Sequence, residues 1–312
     1  MRHVSRQFVQ KVALLSGISA RRARNQRARR ILAMHGVGAD DMPLNRFIQL
    51  MRWLRNHARV VPLGDMIAAM RAGEPPAAEL EIALTFDDGL ASQYLLAYPV
   101  LRDLGLSATI FVCPRLVDER RWLWNHEARA RWQRLGADVR QSLAQEVGAS
   151  TVDAHAVVAR MKSLPEAVRA DLCARLRAAT PGFRPDPAES AAHDLMDWQQ
   201  IRQMDPGLVT IGSHSLRHPI LTTLDDGDLE LELRESRSEL ESRLQRSVPI
   251  FCYPNGSMDA RVRDCASRHY DAAVSTAEAL IDDVPPDYWA LPRIPVSPHL
   301  ELSVWRLHSP QS

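Results

Sequence analysis

An unbroken apolar run, Ile82 to Leu84, leads through Thr85 and Phe86 into two adjacent carboxylates and a glycine, Asp87-Asp88-Gly89. A strand without polar alternation is buried on both faces, which points to a parallel sheet covered by helices. The carboxyl edge of such a sheet is where its chemistry is carried. About 125 residues later, Val209-Thr210-Ile211-Gly212 leads into Ser213 and His214-Ser215-Leu216-Arg217-His218, the same grammar with imidazoles in place of carboxylates. Two carboxylates and two imidazoles on neighbouring strand ends would supply three ligands for a divalent cation and one free base. Those are the parts needed for metal-assisted hydrolysis.

The rest of the chain alternates in period. Strand character is expected at Ile31 to Met34, Arg59 to Leu63, Ala108 to Val112, Leu208 to Ile211, Pro249 to Tyr253, Ala272 to Ser275 and a last extended piece, Leu291 to Val296. Helical spacing is expected at Leu44 to Leu54, Gly64 to Met70, Ser92 to Leu104, Asp228 to Leu244 and Asp259 to His269, with Gly105 as a helix stop. Alternation of this kind argues for a mostly parallel α/β sheet with helices outside, closed into a barrel or open. Residues from about Arg115 to Asp194 break the pattern, being helical throughout and rich in Arg, Ala and Trp. They read as a helical insertion over the catalytic face, whose Trp122, Trp124 and Trp132 either pack its core or form a stacking platform for sugar rings. The expected division is a basic arm over residues 1–30 and one barrel domain over 31–308, with the insertion inside it.

Charge narrows the function. Lys plus Arg total 39 against 38 Asp plus Glu, a net charge of +1 that gives no global argument for nucleic acid. The balance is local, because no Asp or Glu precedes Asp40 while nine Lys and Arg fall between Arg2 and Arg30. That arm reads either as a surface attracted to anionic membrane or as a solvated tail or docking helix. Cys113, Cys173, Cys252 and Cys265 show no CxxC pairing and suit the core of a reduced protein. Val12 to Ala20 is too diluted by Ser16, Gly17 and Ser19 for a convincing signal peptide, so the expected location is the cytoplasm, with membrane association open.

His214 and His218 sit four apart, so on a helical turn they would face one side and bind one cation. Asp-Gly is also an ordinary turn and a helix cap. Two carboxylates at one strand edge repel, however, and a bound cation is the usual compensation, leaving Asp88 as ligand and Asp87 as base.

These segments resemble the polysaccharide deacetylases of the NodB-homology group. The TFDDG motif of that family is present as Thr85-Phe86-Asp87-Asp88-Gly89, and its H(S/T)xxH motif as His214-Ser215-Leu216-Arg217-His218. Phe251-Cys252-Tyr253-Pro254-Asn255-Gly256 stands in place of the third motif. The resemblance implies a distorted (β/α)7 barrel of the NodB-homology type, a divalent metal, usually Zn2+, held by Asp88, His214 and His218, and Asp87 as the base that takes a proton from water. It implies an oxyanion donor in the main chain of Asn255, with Tyr253 as a substrate contact.

Two departures matter. Cys252 replaces an Arg that orients the catalytic Asp, and Arg293 is the candidate to grip Asp87 from another strand. No Leu-x-His motif supplies a general acid near the carboxyl end, which leaves His35, His299 and His308 as candidates. The expected reaction is removal of acetyl groups from N-acetylated sugars of a polysaccharide or lipid-linked glycan. An O-acetyl carbohydrate esterase carries the same motif, and a glycan-binding protein with a vestigial site is the non-enzymatic alternative.

Overall fold

The computed structural model describes residues 6–39, 42–281 and 286–309. Two helices, α1 (Arg6–Leu15) and α2 (Ile18–Asn25), precede the first strand. The alternation then runs β1 (Arg29–Met34), α3 (Leu44–His57), β2 (Arg59–Val60), α4 (Leu63–Arg71), β3 (Glu81–Phe86), a π-turn leading into α5 (Tyr98–Leu104), and β4 (Ala108–Val112). A helical stretch follows: α6 (Pro114–Glu119), α7 (Trp124–Gln133), α8 (Ala137–Glu146), α9 (Ala154–Met161), α10 (Glu166–Ala179), α11 (Pro187–His193) and α12 (Trp198–Gln203). The order resumes with β5 (Val209–Ser213), α13 (Asp226–Leu244), β6 (Ile250–Cys252), α14 (Ala260–His269), β7 (Ala272–Val274), β8 (Ile294–Pro295) and α15 (Leu300–Arg306).

All strand pairs are parallel, in the order β7-β6-β5-β4-β3-β1-β8, with β2 beside the start of β3. Every residue of β3 and β4 is buried, as strands covered on both sides must be. The seven strands on that path curl into the distorted (β/α)7 barrel that the family resemblance implied. One stretch draws its ends together: Leu291 bridges Val274 at the end of β7, and three residues on, Ile294 pairs with Leu32 of β1. Gly212 permits β4 and β5 to lie close, because a Cβ there would collide with the Phe111 ring.

Helix boundaries follow from local chemistry. Asp225 and Asp259 accept from the first-turn N–H groups of α13 and α14, and Gly105 ends α5 in the left-handed region at φ 63°. The segment between β4 and β5 has its own apolar core, which includes Trp132, Leu143, Val157, Val158, Met161 and Leu172. Trp132 lies inside it and donates to the Val152 carbonyl, and Trp124 packs against it. Trp122 stands outside, bound to Asp194 and edge-on to Phe183 and His193.

The structure differs from the sequence reading at two boundaries. β1 begins at Arg29, two residues inside the expected arm, and both its arginines are buried. Arg29 finds Glu81 at 2.8 Å and the carbonyls of Glu74 and Pro75, while Arg30 donates to Leu307 O, so charge misplaced the edge. Of the readings given for the arm, whose residues 1–5 lie outside the described ones, the structure has docked helices and not a tail: α1 packs against α15 and α2 against α3. β2 is two residues rather than five, because Pro62 stands as the N-cap of α4.

Candidate active site

The end of β3 turns sharply. Asp88 sits at φ 76° and Gly89 at φ 68°, and Asp is among the few residues that tolerate this region. The end of β5 is just as constrained. The expected helical turn at His214–His218 does not form; Ser215 at φ 64° and His218 at φ 59° make a loop that brings the imidazoles together by another route. Glu232 of α13 holds that loop, its Oε2 accepting from the N–H groups of Leu216 at 2.9 Å and Arg217 at 3.0 Å. Ser215 Oγ accepts from His218 N. Among the described residues, four of the six non-glycine positive-φ positions, Asp88, Ser215, His218 and Asn255, lie around this site. Strain of this kind persists where surrounding structure fixes a functional geometry.

The three expected ligands converge. Asp88 Oδ1 lies 3.4 Å from His214 Nε2 and 3.5 Å from His218 Nε2, and all three side chains are buried. Ligands at ~2.1 Å on tetrahedral corners stand ~3.4 Å apart, so the donor set fits a small divalent cation. His214 Nδ1 meets Cys252 O at 2.8 Å, which leaves Nε2 turned toward Asp88. Burial disfavours the Asp88 carboxylate, yet the facing His214, His35 and His218 hold its pKa far below the ordinary value.

Asp87 is built differently. Arg293 grips it with two bonds, Nη1 to Oδ1 and Nη2 to Oδ2, both 2.7 Å, with Arg293 1% and Asp87 3% exposed. Arg293 also donates to Ser275 O, Thr85 Oγ1 and Cys252 Sγ. Burial would raise the Asp87 pKa; the guanidinium, with His214 and His35, lowers it to about 2. Burial pushes the Cys252 thiol up, keeping it a neutral neighbour.

The remaining candidates separate. Tyr253 is not in the cleft: successive residues of an extended chain point to opposite sides, so Cys252 faces Asp87 while Tyr253 joins the outer core and donates to Trp289 O. Asn255 lines the cleft, at φ 54°, with a buried Nδ2 that has no partner among the described residues. His35 lines it as well, its Nε2 4.0 Å from Asp87 Oδ2. His299 is exposed at the start of α15, and His308 is tied to Gln26 with its pKa lowered to about 4 by burial; neither lines the cleft. The sequence reading missed the opposite wall, where the β4–β5 segment places His126, Arg129, Lys162 and His193 around a cleft of about 640 Å³. It also missed Glu232, whose signal is an acid on the apolar stripe Leu229, Leu233, Leu240.

The polysaccharide deacetylase family profile matches residues 75–271, which hold the whole of the Asp87, Asp88, His214 and His218 cluster. The chain belongs to the polysaccharide deacetylase family. Among curated relatives of this chain, YxkH of Bacillus subtilis (strain 168), named as a provisional polysaccharide deacetylase, is 28% identical over 96 residues. That match spans 30% of this chain and 34% of the relative, about a third of its length. The barrel is similar to the Streptococcus pyogenes deacetylase PplD solved with acetate, at TM-score 0.61 and 17% identity, covering 91% of this chain and 98% of that one. It is similar to IcaB from Ammonifex degensii at TM-score 0.59 and 16% identity, covering 91% and 98%. A de-N-acetylase from Aggregatibacter actinomycetemcomitans aligns at TM-score 0.57 and 15% identity, covering 87% and 95%. At such identities the likeness is one of fold.

Proposed function

We propose that this deacetylase removes acetyl groups from N-acetylated sugars of a polysaccharide or lipid-linked glycan, using a divalent metal, with Zn2+ the best fit. The observation that carries the reading is the convergence of Asp88, His214 and His218 beside a carboxylate that Arg293 keeps ionised. A cation held there supplies Lewis acidity toward the acetyl carbonyl and acidifies water. Asp87 takes the proton of the attacking water, and Arg293 fixes the orientation of that carboxylate. The Asn255 N–H donates to the oxygen that gains charge as water adds to the carbonyl. His35, whose Nε2 lies 4.0 Å from Asp87 Oδ2, delivers a proton to the departing amine. Acetate release should require metal, and Asp87→Asn should abolish release while metal stays bound. Full activity in that variant would sink the mechanism. Acetate release on matched N- and O-acetyl substrates separates amidase from esterase.

In the same reading the enzyme works at the cytoplasmic face of an anionic membrane. Phe8, Val12 and Leu15 of α1, and Ile18 past the turn, are 59, 44, 83 and 59% exposed, and Arg6, Lys11, Arg21 and Arg22 lie among them. An amphipathic, basic surface of that composition suits the headgroup boundary. Vesicles containing phosphatidylglycerol should pull down the protein, and Leu15→Ser with Ile18→Ser should release it. Equal sedimentation of the variant removes the membrane role. Among the described residues no helix is long and apolar enough to cross a membrane.

A further inference from the structure

Two groups between which a proton must travel, Asp87 at the end of β3 and His35 at the tip of β1, are held very unequally. Arg293 clamps the Asp87 carboxylate, whereas the His35 imidazole is 64% exposed, with its Nε2 4.0 Å from Asp87 Oδ2. An imidazole so open to water takes its place from the main chain that carries it. That main chain is tied by Gln93, the first residue of the π-turn Gln93–Ala97. Gln93 is 0% exposed, and its Nε2 donates to two carbonyls, His35 O at 3.1 Å and Asp87 O at 2.5 Å. Only the NH2 end of an amide can serve two acceptors, so the partners fix which way the group points.

Oε1 of the same amide is buried and has no partner among the described residues. Burying an amide costs stability, and an apolar side chain of similar size would fill the space without that cost. The polar group is therefore kept for the two bonds it makes, and those bonds join the tips of β1 and β3. π-turns within helices recur at functional sites. Neighbours of Gln93 hold the same loop: Ser92 Oγ accepts from Val37 N at 3.2 Å, and Gly38 lies so close to Leu96 that a Cβ would collide with its side chain. We propose that Gln93 is a positioning residue, which fastens the main chain of His35 to that of Asp87 and so sets the reach of the imidazole to the leaving amine. The inference rests on the deacetylase reading, with His35 as the proton donor.

The test uses the full metal-loaded chain, an N-acetylglucosamine oligomer and an activated acetyl ester whose leaving group needs no proton. Gln93→Met keeps the bulk and removes the donor. It should lower kcat on the amide about tenfold with KM and metal content unchanged, and leave ester hydrolysis within about twofold of wild type. Because Gln93 acts through His35, the double variant Gln93→Met with His35→Gln should be no slower on the amide than His35→Gln alone. Full amide turnover in Gln93→Met, equal losses on amide and ester, or losses that multiply in the double variant overturn the proposal. If Gln93→Met does not fold by circular dichroism, Ser92→Ala, which frees the Val37 N–H, takes its place: a smaller loss confined to the amide supports the proposal, and no loss or an equal loss on both substrates overturns it. A crystal structure of the folded variant needs no turnover. There His35 Nε2 should lie farther from Asp87 Oδ2, and an unchanged separation overturns the placement. If wild-type protein releases acetate from neither substrate, the deacetylase reading fails, and that structure alone decides whether Gln93 sets the separation.

Discussion

Replacing Arg293 with Met leaves the Asp87 carboxylate buried with its main counter-ion gone, and the consequence can be worked from the site. In the native protein the pKa of Asp87 drops from an ordinary 3.8 to about 2, a gap worth about 2.5 kcal/mol. Because the folded value is the depressed one, that stabilisation is fully present above pH ~4 and fades as pH falls through about 2. Without the guanidinium, burial dominates and drives the carboxyl toward its neutral form. Removing one member of a buried ion pair costs about 3–5 kcal/mol, so urea unfolding at pH 7 should show a loss of that size. The double variant Arg293→Met with Asp87→Asn should be at least about 1 kcal/mol more stable than the sum of the single losses predicts. The acid limb of kcat/KM should move to higher pH in Arg293→Met, since the base now gains a proton sooner. A stability loss under about 1 kcal/mol, strictly additive with Asp87→Asn, would refute the view that this pair governs the site.

Other outcomes can be checked more briefly. Glu232→Ala frees the Leu216 and Arg217 amides and should weaken metal affinity about 10- to 100-fold in a chelator competition, with the fold retained by circular dichroism. Gly212→Ala forces a methyl into the Phe111 ring and should cost about 1–3 kcal/mol of stability in thermal unfolding. His35→Gln should lower kcat about 100-fold on amide substrates with metal content unchanged, and less on an activated ester whose leaving group needs no proton. Full amide turnover in His35→Gln would remove it from the mechanism.

What could be read in the sequence was whatever one element determines by itself. β3 is recognisable because Ile82 to Phe86 reach Asp87 without a charge, and the stop of α5 at Gly105 is a single-residue signal. What several elements determine together left little mark in the sequence. Arg293 reaches Asp87 across 206 positions, and its neighbours Pro292 and Ile294 carry no mark of that partner. Only the loss of an Arg at Cys252 hinted that a guanidinium must come from elsewhere. His126 and Arg129 on α7 look like a solvated helix face, since a cleft-lining polar stripe and a surface stripe have the same period. The buried Arg29 and Arg30 defeat a reading by charge because their partners, Glu81 and the Leu307 carbonyl, are supplied from distant chain. The two imidazoles were found by spacing, but the spacing suggested a helix, and the left-handed Ser215 and His218 show a loop shaped from outside by Glu232.

A short stretch near the carboxyl end joins two tasks. Leu291 and Ile294 fasten the last gap in the ring of strands, and Arg293 between them reaches in to Asp87. A chain synthesised only as far as β7 therefore holds its carboxylates and imidazoles without the guanidinium that keeps one of them charged. In the proposed mechanism catalytic competence arrives with the final clasp, and an unfinished or unzipped barrel would be chemically quiet.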